Sequence, residues 1–326
     1  MDDGVAMDRA IGLAASVRTS TSPNPWVGCV APSNTRPSTD SITHPPGGPH
    51  AEAVALAAAG GAARGGTAWV TLEPCSHEGR TPPCADALIA AGVARVVVAL
   101  EDPDAHVRGA GIARLRQAGI AVELGIRADE VAEQLAPYVR HRTTGRPWVV
   151  LKLASSLDGR TAAPDGTSQW ITGDAARADA HRLRAESDAV LVGAGTVRAD
   201  DPSLTVRHVH GPDPLRVVLG HAPDGARVHP CLELDGDLGS VLDELGGKGV
   251  VQLLVEGGAS VAGAFHRAGL VDRYVVYLAP VLFGGDDGRA LFAGPGAATI
   301  GDVWRGRFVA IRQVGDDLRL DMEARH

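Results

Sequence analysis

The residues best suited to chemistry in the first third of the chain are His50, Glu52, Cys75 and Cys84. His50 heads a helix-forming Ala/Leu/Val run, Cys75 closes a β-type run in Glu73-Pro74-Cys75, and Cys84 opens another helix after Pro82-Pro83. One imidazole and two thiolates suit zinc, and three protein ligands leave a fourth position for water. Zinc lowers the pKa of such a water toward neutrality, which makes hydrolysis possible near pH 7. In that scheme Glu52 stays off the metal and carries a proton. Helix N-termini at the ligands also favour thiolate over thiol. A structural knot with His77 as fourth ligand is the alternative, and Cys75 alone would read as a small buried apolar residue. The joint pattern favours a catalytic metal. Cys29 and Cys231 lack ligand context and read as structural.

A second group lies further on. The chain has only two lysines, and Lys248 falls in a Gly-rich turn. Lys152 stands inside Val149-Val150-Leu151-Lys152-Leu153-Ala154, an otherwise apolar strand. A lysine there needs a partner if it is buried, and Asp200 and Glu256, each at a strand-to-loop boundary, are the candidates. An edge strand with the lysine turned outward is the alternative. Glu256-Gly257-Gly258-Ala259-Ser260 follows a β-branched run and opens a helix, so backbone can approach a ligand there and free N–H groups favour phosphate. The pattern is not Gly-x-Gly-x-x-Gly, and a Rossmann assignment does not follow.

Elements must hold these residues in place. Helical periodicity covers 5–17, 51–59, 85–91 and 112–118, with strands at 67–72, 93–100 and 121–124. Residues 31–49 are Pro- and Ser-rich and read as loop or a poorly formed hairpin. The polar run 140–147, ending in Gly145-Arg146-Pro147, is the linker candidate, so domains are expected over 1–144 and 145–326. Beyond it, strands are expected at 148–153, 189–192, 215–219, 250–255, 274–278 and 308–314, with helices at 175–186, 239–245 and 260–268. Alternating strands and helices indicate two α/β layers with parallel pairing.

Composition excludes several classes. The 326 residues carry a net charge of −8, and aromatic residues make up 4%. That argues against a nucleic-acid footprint or a base-stacking platform. No apolar run reaches about 18 residues and no leader is apparent, so neither membrane nor secretion is expected. Four cysteines in so long a chain form no disulfide framework, and a reducing cytoplasm is expected.

A histidine–cysteine–cysteine zinc set with a nearby proton-carrying glutamate is the arrangement of zinc nucleobase deaminases. Those enzymes mostly space their cysteines as Cys-x-x-Cys, whereas eight residues intervene here. That insertion resembles one family, the bifunctional riboflavin-biosynthesis deaminase/reductases. The resemblance rests on Ser22-Pro23-Asn24-Pro25, Pro49-His50-Ala51-Glu52 and Thr71 to Cys84 in the first half. In the second half it rests on Lys152 to Arg160, Ser168-Gln169-Trp170-Ile171, Asp200 to Arg207, and Glu256-Gly257-Gly258.

The resemblance implies a cytidine-deaminase-like α/β/α domain followed by a dihydrofolate-reductase-like α/β domain. It also implies hydrolysis of the 2-amino group of 2,5-diamino-6-(5-phosphoribosylamino)pyrimidin-4(3H)-one, then NADPH-dependent reduction of the ribosyl group to ribityl. Carried over by motif, Asn24, His77 and Arg80 meet the first substrate, Arg80 through its phosphate. Ser168, Arg184, Leu204, Arg207 and Glu256 meet the second. Ala154, Trp170, Thr196, Asp200 and Gly258 meet NADPH, and Lys152, Asp200 and Glu256 are the reductase's catalytic candidates. Family members associate as homo-oligomers through the reductase domain. Two departures stand out: the polar 31–49 segment, where His44 is the candidate for a substrate-lining histidine, and a short 220–255 interval with its strand trimmed to 228–234. A deaminase whose second domain is only a dimerisation scaffold is the rival reading, and a zinc-stabilised nucleic-acid module is a more distant one.

Overall fold

The computed structural model describes residues 1–32, 38–78, 82–105 and 107–325. The chain divides into two compact units, Met1–Gly145 and Arg146–His326.

In the first unit, α1 (Asp3–Ala15) is capped by Asp2, whose carboxylate accepts the Val5 N–H. Its buried face is Met7 with Ala6, Ala10 and Ala14, and the alanines let β1 (Gly28–Ala31) pack closely; Val5, by contrast, is exposed. A side chain at Gly28 would come within 2.0 Å of the Ala10 carbonyl. Part of the 31–49 segment is a regular strand, which its composition does not suggest. Thr39–Ile42 forms strand β2, paired antiparallel with β1 from Gly28↔Ile42 to Ala31↔Thr39, although residues 33–37 fall outside the described set. Its alternation of buried Thr39 and Ser41 is a half-buried edge built from small polar residues, which hydropathy patterning cannot detect.

Then follow α2 (Ala51–Ala59), β3 (Thr67–Leu72), α3 (Cys84–Ala91), β4 (Arg95–Leu100), α4 (Ala110–Gln117) and β5 (Ala121–Leu124). The five-stranded sheet runs β2-β1-β3-β4-β5, parallel from β3 to β5 and antiparallel at β1. Val96, Val97 and Val98 of β4 are fully buried, as a strand covered on both faces requires. Helices α5 (Ala128–Gln134) and α6 (Ala136–Thr144) complete the unit. The polar run expected to be a linker is thus helical as far as Thr144; Gly145 ends it at φ 74°, a left-handed cap that glycine adopts without strain.

The second unit is built on β6 (Trp148–Ser156), β7 (Arg160–Ala162), α7 (Asp174–Ala185), β8 (Ala189–Gly193), α8 (Ala194–Asp200), β9 (Leu215–Leu219) and β10 (Leu232–Leu234). It continues with α9 (Leu238–Gly247), β11 (Gln252–Val255), α10 (Ala259–Arg267), β12 (Arg273–Ala279), β13 (Arg289–Ala290), β14 (Gly306–Val314) and β15 (Asp317–Ala324). Eight strands form one sheet in the order β10-β9-β8-β11-β6-β12-β15-β14. Pairing is parallel from β10 to β12, while β15 and β14 run antiparallel as a terminal hairpin. Because β6 lies between β11 and β12, Lys152 sits on a central strand, which removes the edge-strand alternative. The trimmed strand expected within 228–234 shrinks to the three residues of β10. Among the described residues no helix is long and apolar enough to cross a membrane.

Candidate active sites in the two units

His50 occupies the N-cap of α2 in extended conformation, Cys84 is the first residue of α3, and Cys75 lies in the turn after β3. These elements bring three donors together. His50 Nδ1 is 3.2 Å from Cys84 Sγ and 3.6 Å from Cys75 Sγ, and all three donor atoms lie within 4.8 Å of one another. Bond lengths of about 2.0 Å to nitrogen and 2.3 Å to sulfur place neighbouring donors of tetrahedral zinc roughly 3.3–3.8 Å apart, so the set fits that ion. The Cys84 N–H, one of the free amides at the head of α3, donates to Cys75 Sγ at 3.4 Å. Cys75 is drawn down to about 4, first by the hydrogen bond from the Cys84 side chain and also by His50, whereas that same contact pushes the Cys84 thiol up. His50 is raised by its hydrogen bond with Cys75. Glu52, in the first turn of α2, is 3% exposed, and burial lifts its carboxyl to about 7.

A residue whose role sequence inspection missed holds the Cys75 turn. The buried Glu73 carboxylate accepts four backbone N–H groups: Gly111 at 2.9 Å and Ile112 at 3.1 Å on one oxygen, Gly109 at 2.9 Å and Asp102 at 3.2 Å on the other. It thereby neutralises the free amides heading α4 and ties them to the chain two residues before Cys75. Gly111 is required as well, since a Cβ there would lie 1.9 Å from the Pro74 carbonyl oxygen. An acidic residue between a strand and a proline was the available signal. Asn24 is half-buried before β1, His77 is exposed just beyond Cys75, and His44 is exposed after β2. Arg80 lies outside the described residues.

In the second unit the Lys152 side chain sits in a cationic and anionic cluster. Glu256 follows directly from β11, the strand beside β6, and pairs through both oxygens with Arg184 of α7 at 2.5 and 3.0 Å. Burial pushes Lys152 down; Glu256 opposes that shift and Arg184 adds to it. Its Nζ lies 5.8 Å from the centre of the Tyr277 ring. Asp200, the other proposed partner, is exposed at the far end of α8 and is not among the charges acting on Lys152. Topology decides between the two acids, because only Glu256 leaves a strand adjacent to β6.

Arg207 places its guanidinium on the Ser203 and Thr205 hydroxyls, while the Thr205 carbonyl accepts from Arg184. Between Ser203 and Thr205, Leu204 is buried at φ 53°, a left-handed conformation that costs a non-glycine residue about 1–3 kcal/mol and clusters at functional sites. His181 was not anticipated. It is 5% exposed, its Nδ1 accepts the Arg207 backbone N–H at 3.2 Å, and burial, aided by Arg184 and Arg207, holds it down at about 4. The His181-x-x-Arg184 spacing, one face of one helix, was its signal. Thr196 Oγ1 accepts the Gly258 N–H at 3.2 Å, which joins the heads of α8 and α10. Ala154 lies on β6 opposite Tyr277, Ser168 is half-buried, and Trp170 is 68% exposed with the Arg177 guanidinium 4.6 Å from its ring centre.

These two sites define a two-part enzyme, a zinc-dependent deaminase unit followed by a reductase unit. Residues 2–100 match the cytidine and deoxycytidylate deaminase zinc-binding region, and residues 147–320 match the RibD C-terminal domain. The riboflavin biosynthesis protein RibD of Escherichia coli is 40% identical, with 99% of each chain covered. Among solved structures, Acinetobacter baumannii RibD superposes with a TM-score of 0.93 at 39% identity, covering 99% of both chains. A deaminase/reductase from Thermotoga maritima, titled diaminohydroxyphosphoribosylaminopyrimidine deaminase/5-amino-6-(5-phosphoribosylamino)uracil reductase, gives 0.91 at 32% identity over 99% of both chains. The chain belongs to the RibD family of bifunctional riboflavin-biosynthesis enzymes. The Escherichia coli alignment runs over 365 positions, so it opens gaps in this 326-residue chain.

Proposed function

We propose that residues 1–144 deaminate 2,5-diamino-6-(5-phosphoribosylamino)pyrimidin-4(3H)-one and that residues 145–326 reduce the ribosyl group of the product to ribityl. The observation that carries the first step is the His50–Cys75–Cys84 donor triangle with buried Glu52 beside it. Zinc, when bound, supplies a Lewis acid that makes water nucleophilic near neutral pH. Glu52 does the rest of the proton work: a carboxyl lifted to about 7 by burial can take a proton from water and return it to the leaving ammonia. Asn24, His77 and Arg80 orient the substrate, with the Arg80 guanidinium on the phosphate.

For the second step NADPH, when bound, would supply a hydride for the sugar C1. The ring oxygen released at that carbon needs a proton, and Lys152, whose charged form is disfavoured by burial, is suited to give one. Glu256 keeps that ammonium from losing its proton prematurely and holds Arg184 toward the substrate. Ser168, Leu204 and Arg207 complete the substrate contacts. Ala154, Trp170, Thr196, Asp200 and Gly258 contact the cofactor; support comes from the Thr196–Gly258 bond, which directs two helix heads, suited to phosphate, to one place. Asp200 acts from the cofactor side, away from the lysine.

Association through the second unit fits its exposed apolar residues Leu282, Phe283, Ile300, Phe308 and Ile311. Free cysteines suit a reducing cytoplasm. The test is a coupled assay in which the diaminopyrimidine phosphate and NADPH are supplied and ammonia release and NADPH oxidation are followed separately. Both signals are expected, in that order. Ammonia without oxidation would favour the scaffold reading of the second unit. Absence of both signals would refute the assignment.

A further inference from the structure

Cys231, which has no ligand context in the sequence, acquires one in the fold. The connection from β9 to β10 returns on itself, with the Gly220 N–H donating to the Leu234 carbonyl at 3.0 Å and turns closing at Ala226 and His229. This brings His229, Cys231 and Glu233 together, one donor atom from each lying within 4.8 Å of the others. The His229 Nδ1 to Cys231 Sγ separation is 3.5 Å, inside the range of about 3.3–3.8 Å between neighbouring donors on tetrahedral zinc.

Independent contacts orient two of the three donors. His229 Nε2 lies 3.1 Å from the Pro223 carbonyl, an oxygen that can only accept, so Nε2 carries the proton and Nδ1 keeps its lone pair toward Cys231. A ligand histidine donating its other N–H to a backbone carbonyl is the usual outer support of a metal site. Glu233 is steadied in the same way, by the Ala222 N–H at 2.9 Å on one oxygen and His221 Nδ1 at 2.6 Å on the other.

We propose that His229, Cys231 and Glu233 form a second site for a zinc-class divalent cation, separate from the His50 site, with its fourth position open to solvent. Its role is structural. It clips the β9–β10 connection at the place where the sheet edge is only three residues long. Imidazole, thiolate and carboxylate select a borderline cation over magnesium or calcium, which prefer all-oxygen sites.

Full-length protein stripped with chelator and then dialysed against buffered zinc is expected to hold two ions per chain by atomic emission. Cys231→Ser and Cys75→Ser should each hold one, and the double variant none. In the Cys75→Ser protein loaded with cobalt, a thiolate-to-cobalt charge-transfer band is expected, and Cys231→Ser should abolish it. Glu233→Gln, on a half-exposed residue, should weaken the second ion about tenfold or more. A wild type holding one ion that Cys231→Ser does not change would overturn the proposal. A wild type holding one ion, retained in Cys75→Ser and lost in Cys231→Ser, would support this site while refuting the deaminase metal assignment.

Discussion

Glu73→Gln tests whether a carboxylate that never touches the metal nonetheless holds its ligand. The wild-type side chain is 4% exposed and its two oxygens share four backbone N–H donors. Glutamine keeps one oxygen, and therefore two of those bonds. Its amide nitrogen, itself a donor, then faces the other two N–H groups. At about 1.5–3 kcal/mol for each hydrogen bond to a charged group, losing two costs roughly 3–6 kcal/mol. The loss falls on the amides heading α4 and on the turn leading to Cys75, so zinc retention should fall with stability. Thermal unfolding of the zinc-loaded protein, followed alongside zinc release to a chromogenic chelator, measures both. Glu78→Gln, an exposed neighbour, is the control and should stay within about 0.5 kcal/mol of wild type. If Glu73→Gln costs less than about 1 kcal/mol and keeps its zinc as wild type does, the anchoring argument is wrong.

Glu52→Gln should keep zinc while ammonia release drops by at least about a hundredfold, as loss of general acid–base catalysis implies; unchanged turnover would remove Glu52 from the mechanism. Glu256→Gln should destabilise the second unit by up to about 3–5 kcal/mol, because Arg184 and Lys152 are left as neighbouring, largely buried cations, and denaturant unfolding reads that cost. Adding Lys152→Met should recover part of the loss, and strict additivity of the two substitutions would refute the coupling. Lys152 titrates below its ordinary 10.5 in the fold, so between the folded and unfolded values the unfolded chain binds more protons and stability rises with pH. The stability difference between wild type and Lys152→Met should therefore shift in favour of wild type as pH rises toward 10.5; a flat difference would argue that Lys152 is not buried as a destabilised ammonium.

The metal triad was legible because zinc chemistry constrains residue types, and because each ligand stands where a helix or strand changes to loop. Lys152 was legible for a different reason, as one of only two lysines and set among apolar β residues. Its partner was not, since Asp200 and Glu256 both end elements and only the order of strands in the sheet tells them apart. Glu73 and His181 act through backbone groups, and a backbone amide looks the same beside every residue. Strand β2 read as loop or a poorly formed hairpin because Thr39 and Ser41 fill its buried face. Helix α6 was obscured by its polarity, Tyr138 and Pro137 being its only buried side chains. Cys231 had neighbours at alternate positions, His229 and Glu233, but only Glu233 lies in the short strand β10, and it is the turn before it that brings the other two alongside.

The central position of β6 also bears on how the protein is made. In the first unit, β3 finds its partners β1 and β4 within a few tens of residues on either side. Strand β6 ends at Ser156, and both of its partners, β11 from Gln252 and β12 from Arg273, come much later in the chain. At about 5–20 residues per second, a ribosome needs roughly 5–20 seconds to add the hundred or so residues before the first partner strand emerges. Throughout that interval Val149, Leu151 and Leu153 have no sheet to join, and their long-range pairing is of the slow-forming, aggregation-exposed kind. A nascent chain arrested before Gln252 would thus present a finished first unit followed by an open apolar strand, a substrate for chaperones throughout that interval.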